Sequence, residues 1–315
     1  MKICLGKEIE EVKKKDSENE KNLLKNRNSD ELNELNEDDV YFNSNTVKNI
    51  KLGTNTVNRI YLNNSIVYEL EDTIIASKFH SLVPATATEI KFLYASDNPD
   101  LTGYNKLGYC DNNNFIEVWN NGTKYILINP RKNYIYAPVN CSYFLEGYTA
   151  LTVCNIENFN TQNVIFMAYM FFDCKGLTSL DLSSFNTHNV TLFLFMLYGC
   201  VSLRTLIGVL DISSATTFAG FAVYAKISTI SFTGNPINCS TFTDMFALCN
   251  RLTTIYSQTF SIKTGATSSG MFSGCSSLVG GNGTTYSSSH TNAEYARVDG
   301  ENGLPGYFTA PANKK

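Results

Sequence analysis

A motif that recurs about every 25 residues constrains the fold of this 315-residue chain more than any other feature. The stretch "MFFDCKGLTSLDLSSFNTHNV" at 170–190 has counterparts that begin at Met196, Met245 and Met271. A single segment of this length cannot bury its own apolar face, so its copies must stack on one another. The equivalent apolar residues, spaced 24–26 positions apart, are Leu151, Leu177, Leu203, Ile227, Leu252 and Leu278.

Each repeat combines two kinds of pattern. In "SLDLS" at 179–183 the leucines alternate with polar residues, which predicts a short strand. In "TLFLFMLYGC" at 191–200, Thr191 is suited to begin a short helix and Gly199 to end it. The sequence therefore predicts an α/β fold, a leucine-rich-repeat solenoid with one short parallel strand and one short helix in each coil. The strands are expected near residues 153, 179, 205, 229 and 254.

Four of the nine cysteines stand at one phase of the repeat, each three residues before an equivalent leucine. They are Cys174, Cys200, Cys249 and Cys275. Residues at one phase of a stacked repeat form a column against the core, so we expect free, buried thiols that behave as small apolar side chains. The chain contains no C-x-x-C pair, and no zinc site or other metal site is expected.

The segments outside the repeats differ from them in composition. Positions 1–40 hold 20 of the chain's charged residues, of which there are 25 basic and 29 acidic in all. Between 72 and 145, strand-like runs such as "EIKFLYA" alternate with Asn/Gly/Pro turns. We expect five segments: a charged helical or disordered arm at 1–40, a small tandem β attachment module at 41–71, a β-rich cap at 72–145, the solenoid at 146–280, and a C-terminal cap and tail at 281–315.

A second, shorter repeat lies within the attachment module. In "IKLGTNTVNRIYLNNSIVYEL" three apolar residues recur ten positions later, and about 20 residues is too few for an independent β fold. We therefore expect this module to pair with partner strands or with other copies of the chain, giving a homo-oligomer. The predicted attachment residues are Ile50, Leu52, Val57, Ile60, Leu62 and Val67.

Composition and charge limit the classes of partner that are expected. A net charge of −4 disfavours nucleic acid, because binding to its phosphates requires a basic protein surface. The first residues show no apolar secretory segment, and no run reaches the roughly 18 apolar residues of a membrane helix. Neither ordinary export nor membrane insertion is expected.

The motif "MFFDCKGLTSLDLSSFNTHNVT" resembles the BspA-like leucine-rich-repeat family, and residues 164–200 match that pattern most closely. Ala225 stands where the pattern has a cysteine, and the later repeats match "LDLSSFNT" less closely. The resemblance extends over about 74–309, including "MFSGCSSLVGG" and the end that follows it. It implies surface-exposed proteins of gut and oral bacteria that contact host or neighbouring cells, and it implies no catalysis.

The segment "IKLGTNTVNRIYLNNSIVYEL" is similar to short repeats in structural proteins of gut phages. This second resemblance implies a virion protein, made in the cytoplasm of a bacterial host and anchored in the particle through residues 1–71. We therefore expect a head- or tail-attached fibre or decoration protein. The alternative is a bacterial cell-surface adhesin of the same solenoid type.

Recognition, not catalysis, is the expected activity. Three histidines lie far apart, no Ser/His/Asp or Cys/His arrangement is present, and no cofactor is expected. The outward strand positions should form one polar sheet face that binds a bacterial-surface or mucosal glycan or protein. The alternative is an ordinary solvated sheet surface with no ligand. The predicted ligand-binding residues are Ser179, Asp181, Thr205, Thr229, Ser231, Thr254 and Tyr256, with Val153, Asn155 and Ile207 on the same face.

Overall fold

The computed structural model describes residues 39–42, 59–62, 65–69 and 73–311. The chain divides into two compact units, Met1–Glu71 and Asp72–Lys315, which we call the small unit and the large unit. The expected arm at 1–40 lies almost entirely outside the described residues.

The small unit contains a three-stranded sheet. Its strands are β1 (Asp39–Phe42), β2 (Arg59–Leu62) and β3 (Ser65–Glu69). β2 lies in the middle, parallel to β1 and antiparallel to β3. Two predicted attachment residues, Ile60 and Leu62, belong to β2, and Val67 belongs to β3. The other three, Ile50, Leu52 and Val57, lie outside the described residues.

The large unit opens with a helix and a five-stranded sheet. The elements are α1 (Ala76–Leu82), β4 (Glu89–Tyr94), β5 (Asn105–Tyr109), β6 (Glu117–Asn121), β7 (Lys124–Asn129), β8 (Ile135–Tyr136) and β9 (Val153–Asn155). The strand order is β5-β6-β7-β4-β9, with β4 parallel to both β7 and β9. Phe79 of α1 and Phe92 of β4 are fully buried and begin the core.

The repeated region contributes the remaining strands. They are β10 (Phe159–Asn160), β11 (Ser179–Asp181), β12 (Thr205–Ile207), β13 (Leu210–Asp211), β14 (Thr229–Thr233), β15 (Thr254–Ser257) and β16 (Phe308–Thr309). β10 pairs with β8 and β11 with β12, and β13-β14-β15-β16 form a four-stranded sheet, all in parallel. A further column of single parallel bridges joins Asn140, Phe166, Leu192, Thr217, Thr241 and Thr267.

The predicted helix-and-strand solenoid is wrong. Strands do begin at 153, 179, 205, 229 and 254, but they fall into separate sheets, and turns stand where helices were expected. α1 is the only α-helix within the described part of the chain, and it precedes the repeats. The large unit is therefore β-rich.

Backbone conformation explains why the helices are missing. In the turn at 191–200, Phe195 has φ of 50° and Gly199 has φ of 72°, both in the left-handed region that interrupts a right-handed helix. Thr191 does not cap a helix, because its backbone N–H and hydroxyl both donate to Ile165 O in the preceding repeat, at 2.8 and 3.2 Å.

Hydrogen bonding in the same turn runs between repeats. The N–H groups of Phe195 and Leu197 donate to Ala219 O and Phe221 O of the next repeat, at 3.1 and 2.8 Å. Intervening N–H groups bond three residues back, as Met196 does to Phe193 O at 3.3 Å. Half of the turn's amides therefore pair across repeats, which leaves no helical ladder.

The core is continuous through the large unit and rich in aromatic rings. Phe193 stacks on Phe218 at 4.9 Å between ring centroids, and Phe246 stacks on Phe272 at 6.2 Å. The four cysteines at the common phase are fully buried, as predicted, and their thiols are free. Each thiol donates to a carbonyl oxygen of the preceding repeat: Cys174 to Leu145, Cys200 to Phe171, Cys249 to Ala222 and Cys275 to Phe246.

Candidate functional site

The predicted ligand-binding residues lie on neighbouring strands in register. Ser179 is paired with Thr205 and Asp181 with Ile207, and Thr229 is paired with Thr254 and Ser231 with Tyr256. Backbone hydrogen bonds connect the two groups, because Ser228 N–H donates to Arg204 O at 3.2 Å. The residues occupy consecutive positions along the repeats but belong to different sheets, so they do not form the one uninterrupted sheet that the sequence predicted.

Exposure divides this set into two parts. Ser179, Asp181 and Thr205 are exposed. The other four, Thr229, Ser231, Thr254 and Tyr256, are half-buried. The part of the face nearest the β4–β9 sheet is therefore the more accessible one.

A cleft of about 540 Å³ opens at this accessible end. It lies between β9 and β11, each of which is the edge strand of its own sheet. β9 pairs with β4 on its other side, and β11 pairs with β12. Because edge strands carry backbone groups that no neighbouring strand bonds, the cleft offers peptide donors and acceptors as well as side chains.

The cleft lining is dominated by small polar side chains. It includes two of the predicted residues, Ser179 and Asp181. The whole set is Thr152, Val153, Cys154, Asn155, Ile156, Glu157, Thr178, Ser179, Asp181, Ser183 and Ser184. Hydroxyl, amide and carboxylate groups of this kind suit a hydroxylated or peptide-like ligand.

Short turns hold several of these groups in place. Asn155 Oδ1 accepts the Glu157 N–H at 3.1 Å, and Asp181 Oδ1 accepts the Ser183 N–H at 2.8 Å. Ser184 Oγ donates to Ile156 O across the cleft at 3.1 Å. The second carboxylate oxygen of Asp181 and the side-chain amide nitrogen of Asn155 are then an acceptor and a donor that can hydrogen-bond to a ligand in the cleft.

Sequence reasoning named residues from both walls of the cleft but missed the cleft itself. It placed Val153 and Asn155 in the same face as Ser179 and Asp181, as if their strands were adjacent. Val153 is 43% exposed, which is a high value for a valine and marks the open side of β9. No sequence signal showed that β9 would pair with β4, about 60 residues earlier, and leave β11 unpaired on that side.

Two aromatic residues of the cap, Trp119 and Tyr125, do not form a shared exposed surface. Trp119 is half-buried, and its indole N–H donates to Glu117 Oε2 at 2.9 Å. Lys106 Nζ lies 5.8 Å from the centroid of its ring. Tyr125 is buried in the core. Among the described residues, no group of three or more His, Cys, Asp or Glu side chains is placed to hold a metal ion.

Comparison with known proteins gives one match. Residues 139–232 match the family model described as "Mycoplasma protein of unknown function, DUF285". No curated protein and no solved structure matches the chain. The matched stretch contains the whole cleft, but it covers less than half of the chain and its description assigns no activity. Separately, no helix of the described residues is long and apolar enough to cross a membrane.

Proposed function

We propose that this protein is a non-enzymatic recognition protein of a phage particle. In this proposal the large unit binds a glycan or protein on a bacterial or mucosal surface through the β9–β11 cleft. The small unit and the arm before it attach the chain to other virion proteins as a homo-oligomeric fibre or decoration protein.

The observation that carries the recognition role is the cleft. It has the size of a small-ligand site, and its walls are two strand edges with at least eight polar side chains. The groups within it are hydrogen-bonding groups held by turns. They are the kind of group that orients a polar ligand.

The attachment role is supported by the sequence of the small unit and by its fold. A three-stranded sheet of four- and five-residue strands is at the lower limit of independent stability. Further pairing with partner strands would stabilise it. The large unit, by contrast, has its own continuous core.

Surface binding tests the recognition role. The fluorescently labelled full chain should bind bacterial cells or mucin-coated beads, and Asp181→Asn should weaken binding about tenfold by removing the charge. Asparagine keeps an oxygen for the Ser183 N–H, so the turn is preserved. Glu301→Gln removes an exposed carboxylate far along the chain and serves as the control. Equal binding by all three proteins would contradict the role of the cleft.

Particle association separates the phage proposal from its alternative. Antibody labelling of purified particles should place the full chain on them, and deletion of residues 1–71 should prevent its incorporation. Incorporation of the chain that lacks residues 1–71 would contradict the attachment role of the small unit. A chain found on bacterial cells and on no particle would favour the bacterial cell-surface adhesin.

A further inference from the structure

A second surface of the large unit carries a row of partly exposed aromatic rings, which we call the aromatic ladder. Tyr143 stacks on Tyr169 at 4.8 Å between centroids, Phe172 stacks on Tyr198 at 4.9 Å, and Tyr224 meets Tyr198 edge-on at 5.8 Å. The row crosses four successive repeats. Its members are Tyr143, Tyr169, Phe172, Phe195, Tyr198 and Tyr224.

Several residues of the aromatic ladder adopt an unfavourable backbone conformation. Tyr143, Tyr169 and Phe195 have φ of 64°, 59° and 50°, in the left-handed region where side chains are strained. Among the equivalent residues of the next three repeats, Gly220 and Gly270 adopt the same conformation without that strain, whereas Asp244 is strained in the same way.

Stacking alone does not account for these rings. The strain of one left-handed aromatic residue is of the same order as the gain from stacking one aromatic pair. Replacing one of these aromatic residues by glycine should therefore change the free energy of unfolding little. Tyr143 and Tyr224, at the two ends of the ladder, are 51% and 42% exposed, and the four rings between them are half-buried, so every member keeps some surface open to a ligand.

Charge around the ladder is sparse. Asp173 is neutralised by Lys175 at 3.0 Å, and the exposed Glu146 lies close enough to Tyr169 to contribute to its electrostatics. Burial first, then Tyr143 and Glu146, raise the pKa of Tyr169, so its hydroxyl stays protonated and can donate. Because Lys175 is already paired with Asp173 and Glu146 is acidic, these charges favour a neutral ligand over a polyanion.

We infer that the aromatic ladder binds an extended neutral glycan along the stacking direction of the repeats. Sugar rings present weakly positive C–H groups, which the negative faces of aromatic rings attract. At the edge-on contacts Phe195–Tyr198 and Tyr198–Tyr224, the ring that contributes its edge keeps both faces free of that neighbour. Four of the six members carry a phenol hydroxyl that can hydrogen-bond to a sugar hydroxyl.

The test uses the full chain and three neutral linear hexasaccharides: cellohexaose, maltohexaose and mannohexaose. Titration calorimetry should detect binding of at least one of them. The double substitution Tyr169→Gly with Phe195→Gly should weaken that binding at least about tenfold. Glycine relieves the strain at both positions, so this variant should fold, and circular dichroism checks that it does.

Leu248→Gly is the matched control. Leu248 has φ of 61° and is 42% exposed at a turn position of a later repeat, outside the ladder, so the substitution should leave hexasaccharide affinity unchanged. A hexasaccharide whose binding is weakened by Asp181→Asn and not by the double substitution would lie in the cleft instead, so failure of the cleft proposal and failure of this one are distinguishable.

Three results would overturn the inference. The first is that none of the hexasaccharides binds the wild-type chain, and the second is that one of them binds equally well to the folded double variant. The third is that sedimentation shows self-association of the wild-type chain that the double substitution abolishes, which would make a second copy of the chain the occupant of the ladder.

Discussion

At the scale of single residues, the buried thiols show how one side chain connects two repeats. Cys200 Sγ donates to Phe171 O at 3.2 Å, 29 residues earlier in the chain. Burial raises the pKa of Cys200 and of Cys275 to about 12, so neither is a thiolate near neutral pH. Ala225 takes the same place in the fourth repeat, which indicates that the site requires a small apolar side chain and not a reactive one.

The thiols should therefore resist alkylation while the chain is folded. Iodoacetamide reacts with thiolates, and solvent does not reach Cys174, Cys200, Cys249 or Cys275. Mass spectrometry of unreduced protein should find these four unlabelled in buffer and labelled in concentrated urea. Rapid labelling in buffer, or a bridge between Cys174 and Cys200, would contradict the buried column.

Asp299 is the residue that most clearly organises the C-terminal end. Its carboxylate accepts the Asn282, Thr284 and Gly306 N–H groups at 2.8, 3.0 and 3.1 Å and the Thr284 hydroxyl at 2.6 Å. Burial opposes its ionisation, but these hydrogen bonds outweigh burial and lower the pKa of Asp299. The Asp299 carboxylate therefore links the loops at 280–284 and 299–306, together with the bond from Asn282 Nδ2 to the Asp299 backbone oxygen at 3.0 Å.

Asp299→Asn should destabilise the protein by about 3 kcal/mol at neutral pH, because an amide nitrogen replaces an oxygen that accepts charge-assisted hydrogen bonds. A lowered folded-state pKa gives stability that is full above the unfolded-state pKa and is lost as pH falls towards the folded one. Urea unfolding should therefore show the difference between wild type and variant narrowing in acid. Glu301→Gln is the control, and a difference that does not change with pH would contradict this role of the carboxylate.

At the scale of elements, the turn with two left-handed residues is the unit that repeats. Left-handed residues stand four positions apart in each of six turns: Tyr143 and Gly147, Tyr169 and Asp173, Phe195 and Gly199, Gly220 and Tyr224, Asp244 and Leu248, Gly270 and Gly274. Only five of these twelve residues are glycines. The other seven gave no sign of the conformation in the sequence, and the apolar spacing of the turns therefore looked helical.

Glycines at crowded turns should be the most sensitive positions in these elements. Gly208 has φ of 107°, and a Cβ there would lie 2.7 Å from the carbonyl carbon of Leu182 and 2.8 Å from the nitrogen of Ser183. Gly208→Ala should therefore cost about 3 kcal/mol, from strain and overpacking together.

Gly265→Ala is the matched control for that substitution. Gly265 has φ of 83°, but a Cβ there meets nothing within 4 Å, so the cost should be about 1 kcal/mol of backbone strain alone. Urea denaturation measures both variants. Equal losses of stability would contradict the close approach of the Leu182–Ser183 backbone to Gly208.

The strands themselves were largely predictable. The period of 24–26 residues located the starts of β9, β11, β12, β14 and β15, because burial of an alternating leucine pattern is a local property. The pairing was less predictable. Whether β9 bonds β4 or β11 depends on the competition between distant strands, and the sequence offers no measure of it.

At the scale of the whole molecule, the large unit presents two surfaces of different chemistry. The cleft is polar and lies where two sheets fail to join, whereas the aromatic ladder lies on the turns. The sequence indicated a polar face at Ser179 and Asp181, which do line the cleft. It did not indicate the ladder, because Tyr143 and Tyr224 come together only when four turns stack.

We propose that the protein recognises its surface ligand at the β9–β11 cleft. Hydrogen–deuterium exchange of the full chain, with and without purified mucin, tests this role directly. We expect slower exchange at 152–157 and 178–184 when mucin is present, and loss of that protection in Asp181→Asn. Exchange that is unchanged in both segments, or protection confined to the turns of the aromatic ladder, would contradict the cleft as the recognition site.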